Sequence, residues 1–280
     1  MSFGSWRISS ILYSQHGTTI YGTSMREWVI KAMTDENTAK DEVRALLAVL
    51  AHRPRHCIQV PQQNLTPEST WYVMRRYTGE VQADTFYKVR WRIIAQHVLQ
   101  FLQDFHVGMR MIHMDIKRGN IMYDHDTAEF VVADYELADS PRPMQTRDSS
   151  DSYKWYYLSV GAELDQPTVA WRMDLVALGY VLGSILAEPD AWTFEQLCRE
   201  KRHQSTPMSE SELLALRDKE VAAVNPVIAA YMERVATVAW DSAEPPPRTF
   251  YRELEALFVD RSESFTPLGP NLTRPRARSA

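Results

Sequence analysis

The chain has 280 residues, 45% hydrophobic and 24% charged, which is the balance of a folded globular protein rather than a disordered one. Thirty-one Lys and Arg against 36 Asp and Glu give a net charge of −5, which excludes a chain built mainly to coat nucleic acid. Two cysteines, Cys57 and Cys198, are too few for a disulfide framework or a four-cysteine zinc site, and no apolar run approaches the roughly 20 residues that span a bilayer.

The first quarter reads as strands with one helix. Trp6–Tyr13 and Thr18–Gly22 flank a polar turn, and Glu27–Met33 supplies a third strand, the pattern of a β-meander. Asp35–Leu50 has helical periodicity, with Val43, Leu46, Leu47 and Leu50 on one face. Two further strands are expected at Cys57–Val60 and Thr70–Met74, separated by PQQNLTPES, which has the composition of a turn.

From about Phe86 the pattern is mostly helical. Val89–Val107 carries a helical apolar stripe, and Met173–Leu186 is apolar nearly all round, as a buried central helix is. Thr193–Gln196 has the form of a capping box, Pro226 suits the first position of a helix reaching about Trp240, and Thr249–Phe258 forms a last amphipathic helix. After Asp260 the composition turns to Ser, Pro, Gly and Arg, so residues 263–280 are expected to be a disordered tail. This is an α+β organisation: a small β-rich lobe over residues 1–75, a join near 75–81 and a larger helical lobe over 82–262.

Chemistry concentrates at Ile112–Met122, where His113, Asp115, Lys117 and Asn120 follow H-x-D-x-K-x-x-N spacing, and at Asp134 in VVADYE nineteen positions beyond Asp115. Phosphoryl transfer needs a carboxylate that orients and accepts the proton of the attacking hydroxyl, an Asp and an Asn for Mg2+, and a cation that offsets charge on the transferred group. Asp115, then Asp134 with Asn120, then Lys117 supply those parts. Upstream, Lys31 lies in a strand from which it can reach phosphates, and Glu42 lies in the following helix, where it can pair with Lys31.

With HMDIKRGN as catalytic loop, VADYE as metal-binding triplet, VIK as strand lysine, WYVMRRY as last small-lobe strand and hinge, and WRMDLVALGYVL as central helix, residues 6–260 resemble a bilobal eukaryotic-type protein kinase. YYLSVGAEL in place of an A-P-E triplet, the central-helix pattern Asp174–Leu182 and the last two helices make the chain most similar to the casein kinase I superfamily, and Asp134-Tyr135 is closest to its vaccinia-related members. The resemblance implies a kinase domain over 1–262 that transfers the ATP γ-phosphoryl group to a Ser or Thr hydroxyl of a protein, with Mg2+ or Mn2+. Asp115 and Lys117 would be catalytic, and Asn120 and Asp134 would hold the metal. Lys31, Glu42, Gly17, Ile20, Met74 as gatekeeper and the hinge backbone at Arg76 would bind ATP. An acidic or pre-phosphorylated protein substrate, a monomer, and a cytoplasmic or nuclear location without membrane or nucleic-acid contact accompany it.

Departures from the family pattern shape further expectations. Gly17 is the single glycine in the phosphate-covering turn Tyr13–Ile20, where three are usual, so nucleotide use should be weaker. Glu136 stands at a glycine position and adds negative charge. Met114 replaces the arginine that meets an activation-segment phosphate, so activity should not depend on phosphorylating Ser140–Ser159. Two alternatives stay open: a pseudokinase that binds nucleotide or a partner as a scaffold, and a small-molecule phosphotransferase.

Overall fold

A computed structural model describes residues 3–15, 17–34, 36–66, 69–77, 81, 84–143, 168–187, 210–239 and 242–259. Its N-terminal part is a five-stranded antiparallel sheet of order β1-β2-β3-β5-β4, formed by β1 (Ile8–Gln15), β2 (Thr18–Thr23), β3 (Trp28–Met33), β4 (Gln62–Thr66) and β5 (Ser69–Arg75). Period-two alternation sorts the central strands into two faces. Ile30, Ala32, Trp71 and Val73 point to the outer face, where Phe3 covers them, while Val29, Met33, Tyr72 and Met74 join the main core. Lys31 alternates onto that core side, directly opposite Tyr72.

Helix α1 (Glu36–His52) packs on this inner face, but its buried stripe is not the expected one. Ala39, Glu42, Ala45, Leu46 and Val49 are buried, while Leu47 is 48% exposed. The helix is rotated so that Glu42, completely buried, meets the nearly buried cation of Lys31. An unpaired charge in either place would cost more than exposing one leucine, so the ion pair sets the rotation.

The strand expected at Cys57–Val60 does not form. Cys57 makes only an isolated parallel bridge to Val132, and the fourth strand is β4, inside the segment expected to be a turn. Gln62–Thr66 has poor strand composition; it extends because the chain reverses between Thr66 and Ser69 and zips onto β5, from Thr66 opposite Ser69 to Gln62 opposite Val73. As an edge strand it needs no apolar face, and Gln62 and Gln63 are exposed.

Helices dominate the remainder. A short helix α2 (Thr85–Lys88) precedes the stripe expected over Val89–Val107, which divides into α3 (Trp91–Gln103) and a π-helical turn, Asp104–Gly108. A 3-10 turn, Arg118–Asn120, leads into the hairpin β6 (Ile121–Asp124) and β7 (Glu129–Val132), and a two-residue ladder joins β8 (Arg142–Pro143) to β9 (Thr168–Val169). Helix α4 (Trp171–Leu186) is the buried central helix, followed by α5 (Glu210–Val224), α6 (Pro226–Val235) and α7 (Arg248–Leu257). Helix α5 escaped the sequence reading because ESELLALRDKEVAAV shows no apolar stripe. It docks through Val221, whose Cγ1 would lie 3.2 Å from a Cβ at Gly183 of α4, so that glycine permits the close approach. Helix α6 ends five residues short of its expected reach to Trp240, at Val235.

Among the described residues, no helix is long and apolar enough to cross a membrane. The capping box at Thr193–Gln196, Cys198, most of the segment Ser140–Ser159 and residues 263–280 lie outside the described residues.

Candidate functional site

Strand β3, helix α1 and the end of β7 bring three charges together. Lys31 Nζ lies 2.8 Å from the Glu42 carboxylate and 2.8 Å from Asp134 Oδ1, a residue 103 positions away in sequence. Tyr72 on β5 donates its hydroxyl to Glu42 Oε1 at 2.6 Å, so the buried carboxylate is held from two sides. Burial opposes charge on Lys31, but Glu42, Tyr72 and Asp134 outweigh it and set its pKa well above the ordinary lysine value. Burial alone would raise the Asp134 carboxyl; Lys31 beside it, helped by Lys117, holds it below the usual carboxylate range.

The second cluster lies on the loop before β6. Lys117 Nζ donates to Asp115 Oδ2 at 2.7 Å, and Asn120 Nδ2 donates to the same oxygen at 2.7 Å and to the Asp115 carbonyl at 3.0 Å. The Asn120 carbonyl accepts the Ala133 N–H at 2.9 Å, which ties this loop to the residue before Asp134. Beneath it, completely buried Asp174 of α4 accepts the backbone N–H groups of His113 (2.6 Å) and Met114 (2.8 Å) and contacts His106 Nε2 at 2.9 Å. Burial also pushes the His113 imidazole down, keeping it neutral under the loop.

Two non-glycine residues here have left-handed backbone, Met114 at φ +64° and Asp134 at φ +69°. Each conformation costs about 1–2 kcal/mol. Asp174 restrains the first through its N–H, and Lys31 restrains the second through its carboxylate. Met114 is buried, so the position that would carry a phosphate-binding arginine points into the core.

The other sequence candidates divide. Ile20 on β2 pairs with Lys31 and packs against the main core, and Met74 on β5 lies on the same face as Tyr72. Gly17 adopts φ +75°, and its carbonyl accepts the Thr34 N–H at 2.8 Å. At Arg76, expected to offer hinge backbone, the N–H is already donated to the Glu27 carbonyl at 2.7 Å. Glu136 is not in the left-handed region, so its side chain adds no such strain. It is half-buried, with a carboxylate oxygen within 4.8 Å of those of Asp134 and Glu42. Burial first and Asp134 second raise its pKa.

Glu42, Asp134 and Glu136 bring carboxylate oxygens within 4.8 Å of one another, the oxygen chemistry that a hard divalent cation takes, although Glu42 and Asp134 each already bond Lys31. Several residues that shape the site carry no sequence signal of their own. Arg44 of α1 reaches the Ala138 carbonyl at 3.1 Å and Asp139 at 3.2 Å, linking the Glu42 helix to the segment after Asp134, and Arg75 pairs with Asp124 and Asp126 at the β6–β7 tip. Tyr72, Arg44 and His106 become visible only once distant elements pack.

No protein-family model matches the chain, and no curated protein matches it.

Proposed function

We propose that the chain is an ATP-dependent serine/threonine protein kinase with a bilobal kinase fold. One observation carries this reading: the Lys31 ammonium is held between Glu42 and Asp134, while Asp115, bonded to Lys117 and Asn120, is joined to the Asp134 segment through Ala133. Beyond the buried Lys31–Glu42 pair, Asp134 and Lys117 are 33% and 40% exposed, so solvent reaches this part of the constellation.

In this reading Lys31, fixed by Glu42, binds the α- and β-phosphates of ATP. Asp115 orients the substrate hydroxyl and accepts its proton, and Lys117 offsets negative charge on the phosphoryl group in transfer. Asn120 and Asp134 would hold Mg2+, which supplies charge neutralisation on the phosphate oxygens when bound. The acceptor is a protein Ser or Thr in acidic or pre-phosphorylated sequence, met in the cytoplasm or nucleus.

The test is transfer of labelled phosphate from ATP with Mg2+ or Mn2+ to casein or myelin basic protein. Asp115→Asn and Asp134→Asn should each lose transfer by at least about a hundredfold. Transfer that survives in both variants refutes the assignment. Glu136 and the engaged Arg76 N–H favour a second reading, a pseudokinase scaffold; its mark is thermal stabilisation by Mg-ATP with no transfer by the wild type.

A further inference from the structure

We propose that Tyr251, on the last described helix, is a positioning residue for the loop that carries Asp115, acting through His106 and Asp174. The inference rests on the kinase reading only in taking that loop to be catalytic.

The three side chains form a continuous buried chain. Tyr251 and His106 have no exposed surface, and neither does Asp174. The Tyr251 hydroxyl lies 2.6 Å from His106 Nδ1, and His106 Nε2 lies 2.9 Å from Asp174 Oδ2. Asp174 in turn holds the His113 and Met114 N–H groups, immediately before Asp115. Tyr251 is 145 positions from His106, so α7 reaches the loop through tertiary packing alone.

The proton positions follow from satisfying every buried group. Asp174 is a pure acceptor and already takes two backbone N–H groups, so the ring nitrogen facing it must carry a proton. In a neutral imidazole the other nitrogen is then bare, and Tyr251 is the donor that fills it. Burial raises the Tyr251 pKa well above the ordinary tyrosine value, so its hydroxyl keeps the proton. Tyr251 thereby fixes the His106 tautomer in which Nε2–H points at Asp174. With the opposite tautomer, a nitrogen lone pair would face the carboxylate, and Asp174 would shift away from the two N–H groups that hold Met114 at φ +64°. The π-helical turn Asp104–Gly108 contains His106, and Trp171, on the helix that bears Asp174, packs 5.3 Å from its ring, so the ring cannot swing to another partner without repacking.

The test compares wild type, Tyr251→Phe and the packing control Phe258→Leu, a buried position on the same stretch that contacts Trp91 and Tyr231. Ring-nitrogen NMR of the wild type should find His106 neutral with Nε2 protonated; an imidazolium or an Nδ1–H ring overturns the relay. In Tyr251→Phe the His113 and Met114 amides should exchange at least about tenfold faster, while the control leaves them protected. Unchanged exchange overturns the proposal. With labelled ATP, Tyr251→Phe should lower kcat about tenfold or more at unchanged KM for ATP, and Phe258→Leu should keep kcat despite a comparable loss of Tm. Equal loss in both variants means packing rather than positioning and overturns it. A wild type that transfers no phosphate overturns the kinase reading instead, and the ring-nitrogen and exchange results then decide the relay by themselves.

Discussion

Replacing Lys31 with methionine strips the buried Glu42 of its cation. Lys31 and Glu42 side chains are 8% and 0% exposed and sit 2.8 Å apart, so their attraction at an effective dielectric near 20 is about 6 kcal/mol, most of it offset by the cost of desolvating both ions. The net value of the pair is therefore small, but removing one member leaves an uncompensated buried charge and should cost about 3–5 kcal/mol. Asp134, 33% exposed, loses less because water can reach it. The double variant Lys31→Met/Glu42→Gln removes the orphaned charge and still accepts the Tyr72 hydroxyl, so it should regain about 2 kcal/mol over the single variant. Urea unfolding at pH 7 with an unchanged m-value measures both quantities. A single variant that loses less than about 1 kcal/mol, or a double variant less stable than the single, would refute the claim that Glu42 is a buried charge held by Lys31.

Three further outcomes follow from other parts of the molecule. His97 stacks 4.1 Å from His56 near Glu129, accepts the Phe130 N–H at 3.0 Å, and is pushed down to about 4 by burial and by His56. Its folded pKa is below the unfolded one, so stability should fall as pH drops from about 6.5 to 4, by up to about 3 kcal/mol, and His97→Gln should flatten that slope in thermal melts. The raised pKa of Glu136 means its anion is disfavoured in the fold, so Glu136→Gln in EDTA should raise Tm at pH 7.5 and lose that gain at pH 4, below the unfolded carboxyl pKa of about 4.3; a gain independent of pH would contradict the cause. Asn225 caps α6 by accepting the Val227 N–H at 2.8 Å, and Asn225→Ala should cost about 1 kcal/mol in chemical unfolding, whereas a cost below about 0.3 kcal/mol would mean the cap is dispensable.

The comparison of pattern with packing is sharpest in α1. Periodicity identified a helix and favoured Leu47 for the core, yet the core received Glu42, because helical spacing ranks residues by hydrophobicity and cannot weigh a charge whose partner lies on another strand. β4 failed for the same kind of reason: its extended conformation comes from pairing with β5, not from Gln62–Thr66 themselves. Glu136 needed the structure as well, since only the surrounding backbone decides that its carboxylate turns toward Asp134 rather than toward water.

By itself, the sequence determined where strands yield to helices, the buried character of α4, and the compact local motif in which Asp115, Lys117 and Asn120 are close enough in the chain to meet on one loop. Tertiary structure alone decided the long-range closures: Lys31 on Asp134, Arg44 on Asp139, and Tyr251 on His106 beneath Asp174. The physical reason is separation. Local hydrogen bonds and periodic burial are encoded within a few residues, whereas the worth of a charge or a buried hydroxyl depends on partners on other elements, up to 145 positions away, and those partners exist only after the sheet, the hairpin and the helices have packed.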